Sequence, residues 1–341
     1  MPTPVPFDPN KASETELRAV HELYLVTETE QLPDDPPRPF EERLGSWLHR
    51  PSFQEVRRWA MWDGDRALGT AMLSLEYLEQ NRDQAWFWIQ VHRDHRRKGL
   101  GTHLLRGVLE GAKAGDRTML GTWTWHGSDA EGFLDALGAT KRQEERISRC
   151  WVKDVDLGLM ERWVARAPER ASGYELVLWE GQCPEELLER YADVRTVMNT
   201  APRDDLEMED WVMTPTEVRD WEEANAKRGL TWWTMCARHR STGALVGYTE
   251  LFFEPHRPYQ ANQGDTGVDP THRSRGLGRW LKAAMFLKLI AERPEVDRID
   301  TGNAESNAPM LAINVEMGFR PLLAESVWQV PLETAEAAFS S

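Results

Sequence analysis

The chain carries one eleven-residue pattern twice, about 177 positions apart. Residues 91–101 read VHRDHRRKGLG and residues 268–278 read VDPTHRSRGLG, and both copies end in Arg-x-x-Gly-x-Gly. Each copy follows an apolar run typical of a strand and precedes an amphipathic run typical of a helix. The pattern therefore predicts a strand, a glycine loop and a helix at two places.

A glycine loop at the start of a helix is a good site for an anion. Glycine lets the backbone approach a phosphate closely, and the first N–H groups of the helix point towards it. The positive end of the helix dipole favours the negative charge, and arginine and lysine side chains add charge-assisted hydrogen bonds. Both copies therefore predict phosphate binding.

Two further landmarks repeat at nearly the same offset. Gly69 lies about 178 positions before Gly247, and Gly138 lies about 180 positions before Gly318. A long common offset indicates an internal duplication rather than a solenoid of short repeats. With 341 residues, we expect two similar domains. We predict an N-terminal domain at 1–155, a linking helix at 156–172 and a C-terminal domain at 173–341.

Hydrophobic periodicity predicts an α/β fold in each domain. Strand-like runs at 85–91, 119–125 and 147–155 alternate with helical runs, which is typical of a mixed sheet with helices on both faces. A Ser13-x-x-Glu16 capping box starts the first helix. Residues 184–198 are predicted as one helix, and a closing strand is predicted at 326–330.

Composition excludes several classes of function. A net charge of −15 argues against general binding of nucleic acid or anionic membranes. Three cysteines without C-x-x-C spacing favour neither a disulfide framework nor a metal site. No run resembles a transmembrane span or a signal peptide, so we expect a cytoplasmic protein.

Acidic clusters and tryptophans each allow two interpretations. The clusters at 204–210 and 217–223 are either solvated surface or the approach to a site for a cationic amine. The pairs Trp86/Trp88 and Trp123/Trp125 alternate as on one face of a strand. They predict core packing or, alternatively, the aromatic wall of a pocket that contacts an ammonium group.

The order of these motifs resembles the GCN5-related N-acetyltransferase (GNAT) superfamily in its tandem form. The resemblance rests on the two loops, on Asn303 to Asn307 and on Met317-Gly318-Phe319, and it covers most of the chain. It implies two tandem GNAT-like acyl-CoA N-acyltransferase domains. It also names acetyl-CoA (coenzyme A) as the cofactor, with its pyrophosphate in a glycine loop.

The residues expected to bind the cofactor lie in both copies. In the first they are Val91, His92, Arg96, Arg97, Lys98, Gly99, Leu100, Gly101 and Thr102. In the second they are Val268, Asp269, Arg273, Ser274, Arg275, Gly276, Leu277, Gly278, Arg279, Asn303 and Asn307.

The candidate catalytic residues are Glu250, Asp265 and Asn314 of the second half, whereas the first half offers only Glu76 and His92 as nearby titratable residues. Transfer of an acetyl group to an amine requires a base, and the resemblance places it at Glu250 or Asp265. The corresponding positions of the first half are Met72 and Trp88, which cannot move a proton. We therefore expect the N-terminal domain to be catalytically degenerate and the C-terminal domain to be catalytic.

A departure from the family affects the leaving thiolate. Where the family has a tyrosine that protonates sulfur, this chain has Asn314 in the second half and Leu134 in the first. An asparagine hydrogen-bonds but supplies no acidic proton.

The predicted function is therefore N-acetyl transfer from acetyl-CoA to a primary amine of a small, cationic molecule. We expect no nucleic-acid or membrane partner and a monomer or homodimer. Two other interpretations stay open, a non-catalytic acyl-CoA-binding protein and a peptide or protein N-terminal acetyltransferase.

Overall fold

A computed structural model describes residues 2–340 and divides the chain into two compact units. The first unit contains the residues up to Glu144, the segment Asp204–Glu209 and the residues from Glu325 onwards. The second contains Glu145–Arg203 and Asp210–Ala324. Neither unit is continuous in sequence, because each includes segments from the other half of the chain.

The first unit is built on a sheet with strand order β1-β2-β3-β4-β5-β12. Its strands are β1 (Val5–Pro6), β2 (Gln54–Asp63), β3 (Arg66–Glu76), β4 (Gln84–Val91), β5 (Met119–Trp125) and β12 (Arg320–Pro331), the last pairing through Glu325–Pro331. Neighbouring strands are antiparallel except for the parallel pair β4 and β5. Its helices are α1 (Glu14–Gln31), α2 (Phe40–Leu48), α3 (Leu100–Ala114), α4 (Asp129–Ala136) and α11 (Leu332–Ser340).

The second unit repeats this pattern with strand order β6-β11-β10-β9-β8-β7. Its strands are β6 (Thr140–Trp151), β7 (Tyr174–Glu180), β8 (Thr231–His239), β9 (Leu245–Phe253), β10 (Gln260–Val268) and β11 (Arg298–Ala304). The parallel pair is β10 and β11, the counterpart of β4 and β5. Its helices are α5 (Leu157–Ala165), α6 (Ala167–Arg170), α7 (Leu188–Arg195), α8 (Pro215–Lys227), α9 (Leu277–Glu292) and α10 (Ala308–Met317).

The last strand of each half is exchanged. The predicted closing strand at 326–330 is confirmed as part of β12, but β12 pairs with β5 of the first unit. Conversely, β6 follows α4 in the chain and pairs with β11 through Glu145–Trp151. A strand's own sequence sets its length and its buried face, whereas its partner depends on the path of the chain.

Most predicted elements are confirmed, including the α/β fold and the capping box in which Ser13 and Glu16 bond each other's backbone N–H. The single helix predicted at 184–198 is wrong. It is divided into a 3-10 turn at Glu185–Leu187, the helix α7 and a 3-10 turn at Thr196–Thr200. The β-branched pair Thr196 and Val197 opens the second turn, and β-branched residues have a lower preference for a regular α-helix.

The parallel pairs separate after a short contact, which opens a cleft in each unit. Among the described residues, β4 and β5 pair from Gln84 to Trp86 only, although β4 continues to Val91. β10 and β11 pair from Gln260 to Asn262. In both units the glycine loop follows the longer strand of the pair.

Amphipathic helices hold each cleft in place by packing on the sheet. In the first unit Leu104 and Val108 of α3 are buried in one cluster with Phe87 and Leu120. In the second unit α9 takes the same position, with Leu281 and Phe286 buried in its cluster. Burying a leucine or phenylalanine contributes about 1.5–3 kcal/mol, so these helices fix the loops that precede them.

Candidate functional site

The first glycine loop has the backbone conformation of an anion cradle. Arg97 and Gly99 have φ of 58° and 80°, in the left-handed region, and α3 begins directly afterwards at Leu100. The N-cap position, Gly99, has no side chain to bond the first N–H groups of the helix. These groups are therefore available to an anion.

Side-chain bonds to the loop's own backbone maintain this conformation. Arg96 Nε donates to the carbonyl of Val91 at 3.2 Å, and Lys98 Nζ donates to that of Asp94 at 2.7 Å. His92 Nδ1 accepts from the N–H of Asp94. His92 is thus a structural cap of the turn.

The second loop has the same construction. Ser274 and Gly276 have φ of 64° and 80°, and α9 begins at Leu277. Arg273 Nε donates to the carbonyl of Val268 and Arg275 to that of Thr271, each at 2.8 Å. The carboxylate of Asp269 accepts from the N–H of Thr271, as His92 does for Asp94. Its hydrogen bonds also lower the pKa of Asp269.

Each loop is also tied to a neighbouring segment of its unit. Arg96 forms an ion pair with Glu30 of α1 at 2.6 Å. Arg273, at the corresponding position, donates to the hydroxyl of Thr200 in the 3-10 turn after α7. Arg279 pairs with Glu316 of α10 at 2.6 Å. The guanidinium of Arg279 is therefore engaged by the carboxylate of Glu316.

The cleft of the first unit contains a cavity of about 450 Å³ that adjoins the loop. Its lining comes from β4, β5, the end of α1, the loop and the start of α4. Loop residues on the lining are Arg96, Arg97, Gly99, Leu100, Gly101 and Thr102. A cavity that starts at an anion cradle and enters the cleft between two strands fits a long molecule with a phosphate at one end.

Tryptophans form one wall of this cavity. Trp88, Trp123 and Trp125 line it, and Trp123 stacks on Trp86 with ring centroids 4.4 Å apart. All four are half-buried. The alternation predicted their shared face, and the structure places three of them at a cavity rather than in the core.

The lining of the same cavity includes a buried glutamine. Gln90 is 7% exposed, lines the cavity, and its Oε1 has no hydrogen-bond partner among the described residues. A buried carbonyl without a hydrogen-bond partner costs about 1–3 kcal/mol. Periodicity places Gln90 on the tryptophan face, but nothing in the sequence identifies it as unpaired.

The second unit has a buried ionic cluster where the base was predicted. Glu250 on β9 is 1% exposed and accepts from Arg195 at 2.8 Å and from Tyr191 at 2.5 Å. Arg195 also lies 3.7 Å from Asp265. Tyr248 donates to Asp265 at 2.9 Å. Both predicted carboxylates therefore belong to one cluster, which also includes an arginine that the sequence did not reveal.

The charge state of this cluster follows from its burial and its contacts. Burial raises the pKa of Glu250, and the nearby Arg195 lowers it in part. Burial opposes the charge on Arg195, but Glu250 and its neighbours raise the guanidinium pKa well above its usual value. Arg195 thus stays protonated and holds Glu250. Asp265, whose side chain is 37% exposed, is the carboxylate that faces solvent.

The asparagines of the second unit bond each other. Asn314 Nδ2 donates to Asn303 Oδ1 at 2.7 Å, and Asn307 caps α10 by accepting from the N–H of Met310. Asn314 is 2% exposed and its Oδ1 has no partner in the described part of the chain. Asn307 therefore caps the helix, and Asn314 is a buried residue that holds Asn303 through its amide.

Helix α9 includes a buried lysine on the side that packs on the sheet. Lys282 is 2% exposed, its Nζ is 3.3 Å from Gln263 Oε1, and it lies 5.3 Å from the ring centroid of Phe319. Burial lowers its pKa to about 7. Leu105 occupies the aligned position of the first unit. A single lysine on the apolar face of a predicted helix was the only sequence signal for this site.

Several carboxylates of the acidic clusters form ion pairs or cap a helix. Glu207 pairs with Arg142, and Asp210 pairs with Arg203. Glu217 completes the N-terminal capping box of α8, and Glu222 is buried against Arg219. Their role as the approach to a cationic acceptor therefore has no support from their positions.

Comparisons with known proteins agree with this architecture. The acetyltransferase (GNAT) family matches at residues 17–138 and 195–319. A tandem GNAT protein from the clavulanic acid biosynthesis pathway is 26% identical with a TM-score of 0.80, over 97% of this chain and 99% of that one. Comparison with proteins of curated function gives no significant match.

More distant structures share the fold. A GCN5-related N-acetyltransferase from Sphaerobacter thermophilus is 16% identical with a TM-score of 0.65, covering 96% of both chains. The glucosamine N-acetyltransferase region of a fungal multi-domain GH3 β-N-acetylglucosaminidase is 12% identical with a TM-score of 0.66, over 97% of this chain and 38% of that one.

Two glycine-loop units, each with a cleft between parallel strands, define a tandem acyltransferase fold. The chain belongs to the GNAT acetyltransferase family, and both of its halves match it. Within the described residues, no helix has the length and apolar character required to cross a membrane.

Proposed function

We propose that this protein is an acetyl-CoA-dependent N-acetyltransferase that modifies a primary amine of a small, cationic molecule. The observation that carries the proposal is the pair of glycine loops with matching backbone angles, each at the start of an uncapped helix. The proposal includes a cytoplasmic location and no nucleic-acid or membrane partner, in keeping with the net charge of −15.

The residues that would hold acetyl-CoA fit its shape and charge. N–H groups of the loops at 96–101 and 273–278 would bind the pyrophosphate, with Arg97 and Arg275 nearby. The cavity beside the first loop has room for the pantetheine arm. Acetyl-CoA supplies the acetyl group as a thioester.

We place the chemistry in the second unit. Asp265 would accept the proton of the amine, directly or through water, because it is the accessible carboxylate of the cluster. Tyr248 and Arg195 would position it. Glu250 is held by Arg195 and Tyr191, so its part would be to keep that arginine in place. The backbone N–H of Val268 would polarise the acetyl carbonyl.

A non-catalytic acyl-CoA-binding protein is the second candidate. One observation favours it: Glu250 is bound by Arg195, while Asn314 and Leu134 stand where a proton donor to sulfur is expected. In that case acetyl-CoA would bind without turnover of any amine.

A thiol-release assay with acetyl-CoA over polyamines, aminoglycosides, amino acids and short peptides tests the proposal. Wild type is compared with Gly101→Glu and Gly278→Glu. Both glycines have room for a Cβ, with the nearest atoms at 3.9 Å and 3.5 Å, and we expect the added carboxylate to repel phosphate.

We expect Gly278→Glu to lose turnover by at least about 100-fold, since a like charge replaces the phosphate contact. Loss in Gly101→Glu alone would move the chemistry to the first unit. Acetyl-CoA binding without turnover by the wild type would favour the binding protein.

A further inference from the structure

We propose that a second cavity of the first unit, at the outer edge of its sheet, binds the carboxylate of a compact organic acid through Arg58 of β2. This cavity has a volume of about 620 Å³ and is lined by residues 6–10, by the end of α2 with the segment after it, and by β2. It shares no lining residue with the cavity beside the glycine loop. The site therefore goes beyond the proposed function.

The cavity lies where the edge of the sheet is open. β1 has two residues only and pairs with Trp59 and Ala60 of β2. Along residues 54–57, β2 has no second neighbouring strand in the described part of the chain. Trp47 and Leu48, at the end of α2, form part of the wall instead. A small molecule can therefore reach side chains of β2 that a longer β1 would cover.

Arg58 is a buried guanidinium without a counter-ion. It is 7% exposed, lines the cavity, and forms no ion pair or side-chain hydrogen bond within the described residues. Its Nε and Nη2 are enclosed without a partner, which leaves Nη1 as the nitrogen that can face the cavity. Burial lowers the pKa of Arg58, and the neighbouring Tyr24 and Asp8 offset this only in part. Burying an unpaired charge is costly, so an anion at Nη1 would be strongly favoured.

The second unit shows what Arg58 lacks. There the buried Arg195 is held by Glu250, with 2.8 Å between Nη1 and Oε1. The position that corresponds to Glu250 in the first unit is Met72, and Met72 is the cross-strand partner of Arg58. The first unit thus buries a guanidinium beside a methionine where the second has a carboxylate. A ligand carboxylate would supply the missing group.

The other charges on the lining favour a single negative charge on the ligand. Arg57 is already held by Glu55 at 2.6 Å, and Arg50 donates to Gln54 Oε1 at 3.2 Å. Arg58 is therefore the arginine of the lining that a ligand would neutralise. The carboxylate of Asp8 is also on the lining and opposes a second negative charge. A monocarboxylate is thus favoured over a phosphate dianion.

The remaining wall suits a hydrocarbon body. Phe7, Trp47 and Trp59 line the cavity, together with Leu48 and Val56. The rings of Phe7 and Trp47 meet edge to face, with centroids 6.2 Å apart. Apolar surface of this kind gains free energy by covering an apolar ligand. An acid with one ring next to its carboxylate matches both the charge and the wall.

Three ligands with the same ring separate charge from packing. Phenylacetate carries one negative charge, 2-phenylethanol carries none, and phenyl phosphate is mostly a dianion at pH 7.5. Their affinities for the full-length protein are measured by calorimetry at this pH, in a buffer without phosphate or carboxylate. The variant is Arg58→Met. Arg166→Met is the matched control, because it removes one exposed positive charge from the second unit.

We expect the wild type to bind phenylacetate at least about tenfold more tightly than 2-phenylethanol, and more tightly than phenyl phosphate. Arg58→Met should weaken phenylacetate at least about tenfold and leave 2-phenylethanol unchanged, and Arg166→Met should match the wild type. Arg58 has no partner to lose, so we expect Arg58→Met to fold. If circular dichroism shows that it does not, Ser52→Glu and Ser52→Gln provide the test. Ser52 is exposed on the lining, and only the glutamate should weaken phenylacetate.

Several results would overturn the inference. These are no binding of phenylacetate, equal affinity for 2-phenylethanol, tighter binding of phenyl phosphate, or an unchanged affinity in Arg58→Met. Gly101→Glu separates this site from the glycine loop. Wild-type affinity for phenylacetate in that variant supports the inference whatever happens to turnover, whereas lost affinity would place the ligand at the loop and overturn it.

Discussion

The two glycine loops share their backbone conformation and the side-chain hydrogen bonds to their own carbonyls, but the residues around them differ. Arg97 and Ser274 share a positive φ, as do Gly99 and Gly276. Beside the first loop is a cavity walled by tryptophan. Beside the second loop, Val197 of the 3-10 turn lies so close to Gly267 that a Cβ there would be 2.5 Å from it.

This difference shows which part of a duplicated unit is constrained. The loop's conformation depends on its own backbone and on two side-chain bonds, so it is retained when its neighbours change. The cleft is formed by side chains from several elements, and each substitution there changes its volume or charge. The first unit has a cavity at its cleft, and the second has the buried pair of Arg195 and Glu250.

Disrupting the buried ionic cluster of the second unit, which the first unit lacks, should have the largest effect on the free energy of unfolding. Arg195→Met leaves Glu250 buried without its cation and should lower the free energy of unfolding by about 3–5 kcal/mol. Denaturant unfolding monitored by circular dichroism measures it. In the double variant Arg195→Met with Glu250→Met, position 250 carries the methionine that the first unit has at Met72. This variant should recover most of the lost free energy of unfolding. A double variant as unstable as the single one would show that the pair is not the cause.

Lys282 should make stability depend on pH. Its folded-state pKa of about 7 lies below the usual value of 10.5. Between pH 7 and 10.5 the unfolded state therefore binds more protons, and stability should rise with pH by up to about 1.4 kcal/mol per unit.

Lys282→Leu, which copies Leu105, should be more stable at pH 7 and should lack this rise. The measurement is the wild-type minus variant difference in unfolding free energy across that range. A constant difference would contradict a buried, neutral Lys282.

Backbone strain should be similar in the two loops. Gly99→Ala and Gly276→Ala force alanine to φ near 80° and should each cost about 1–2 kcal/mol. Gly132→Ala is the control, because this glycine is inside α4 with open space around it. It should be neutral or stabilising. Thermal unfolding of the three variants gives the comparison, and an effect in one loop alone would show that their conformations differ.

The ion pair between Arg96 and Glu30 at the first loop should have the smallest effect on the free energy of unfolding. Glu30→Gln breaks the ion pair with Arg96. The side chains of Arg96 and Glu30 are 30% and 23% exposed, respectively. Partly exposed pairs contribute about 0–1 kcal/mol and weaken with salt. The unfolding free energies of wild type and variant should therefore converge at 1 M NaCl. A difference that persists in high salt would mean that Glu30 contributes by packing.

Local sequence pattern was sufficient to predict most helices and strands and the two glycine loops. The Ser13 capping box, the alternation of the tryptophans and the Arg-x-x-Gly-x-Gly repeat are each determined by a few neighbouring residues. The exchange of β6 and β12 was not predictable, because each strand reads the same whichever sheet it joins.

The contacts of the site were also beyond local pattern. Arg195 on α7 reaches Glu250 on β9, and Gln90 is unpaired only because of what the fold places around it. Long-range partners of buried polar groups depend on tertiary structure, and one sequence carries no direct record of them.

Acetyl-CoA binding stoichiometry tests the central claim most directly, namely that both loops are the same anion cradle. Calorimetry with wild type should give two sites per chain, and Gly101→Glu and Gly278→Glu should each retain one. A single site in the wild type, abolished by one variant and unaffected by the other, would contradict the claim.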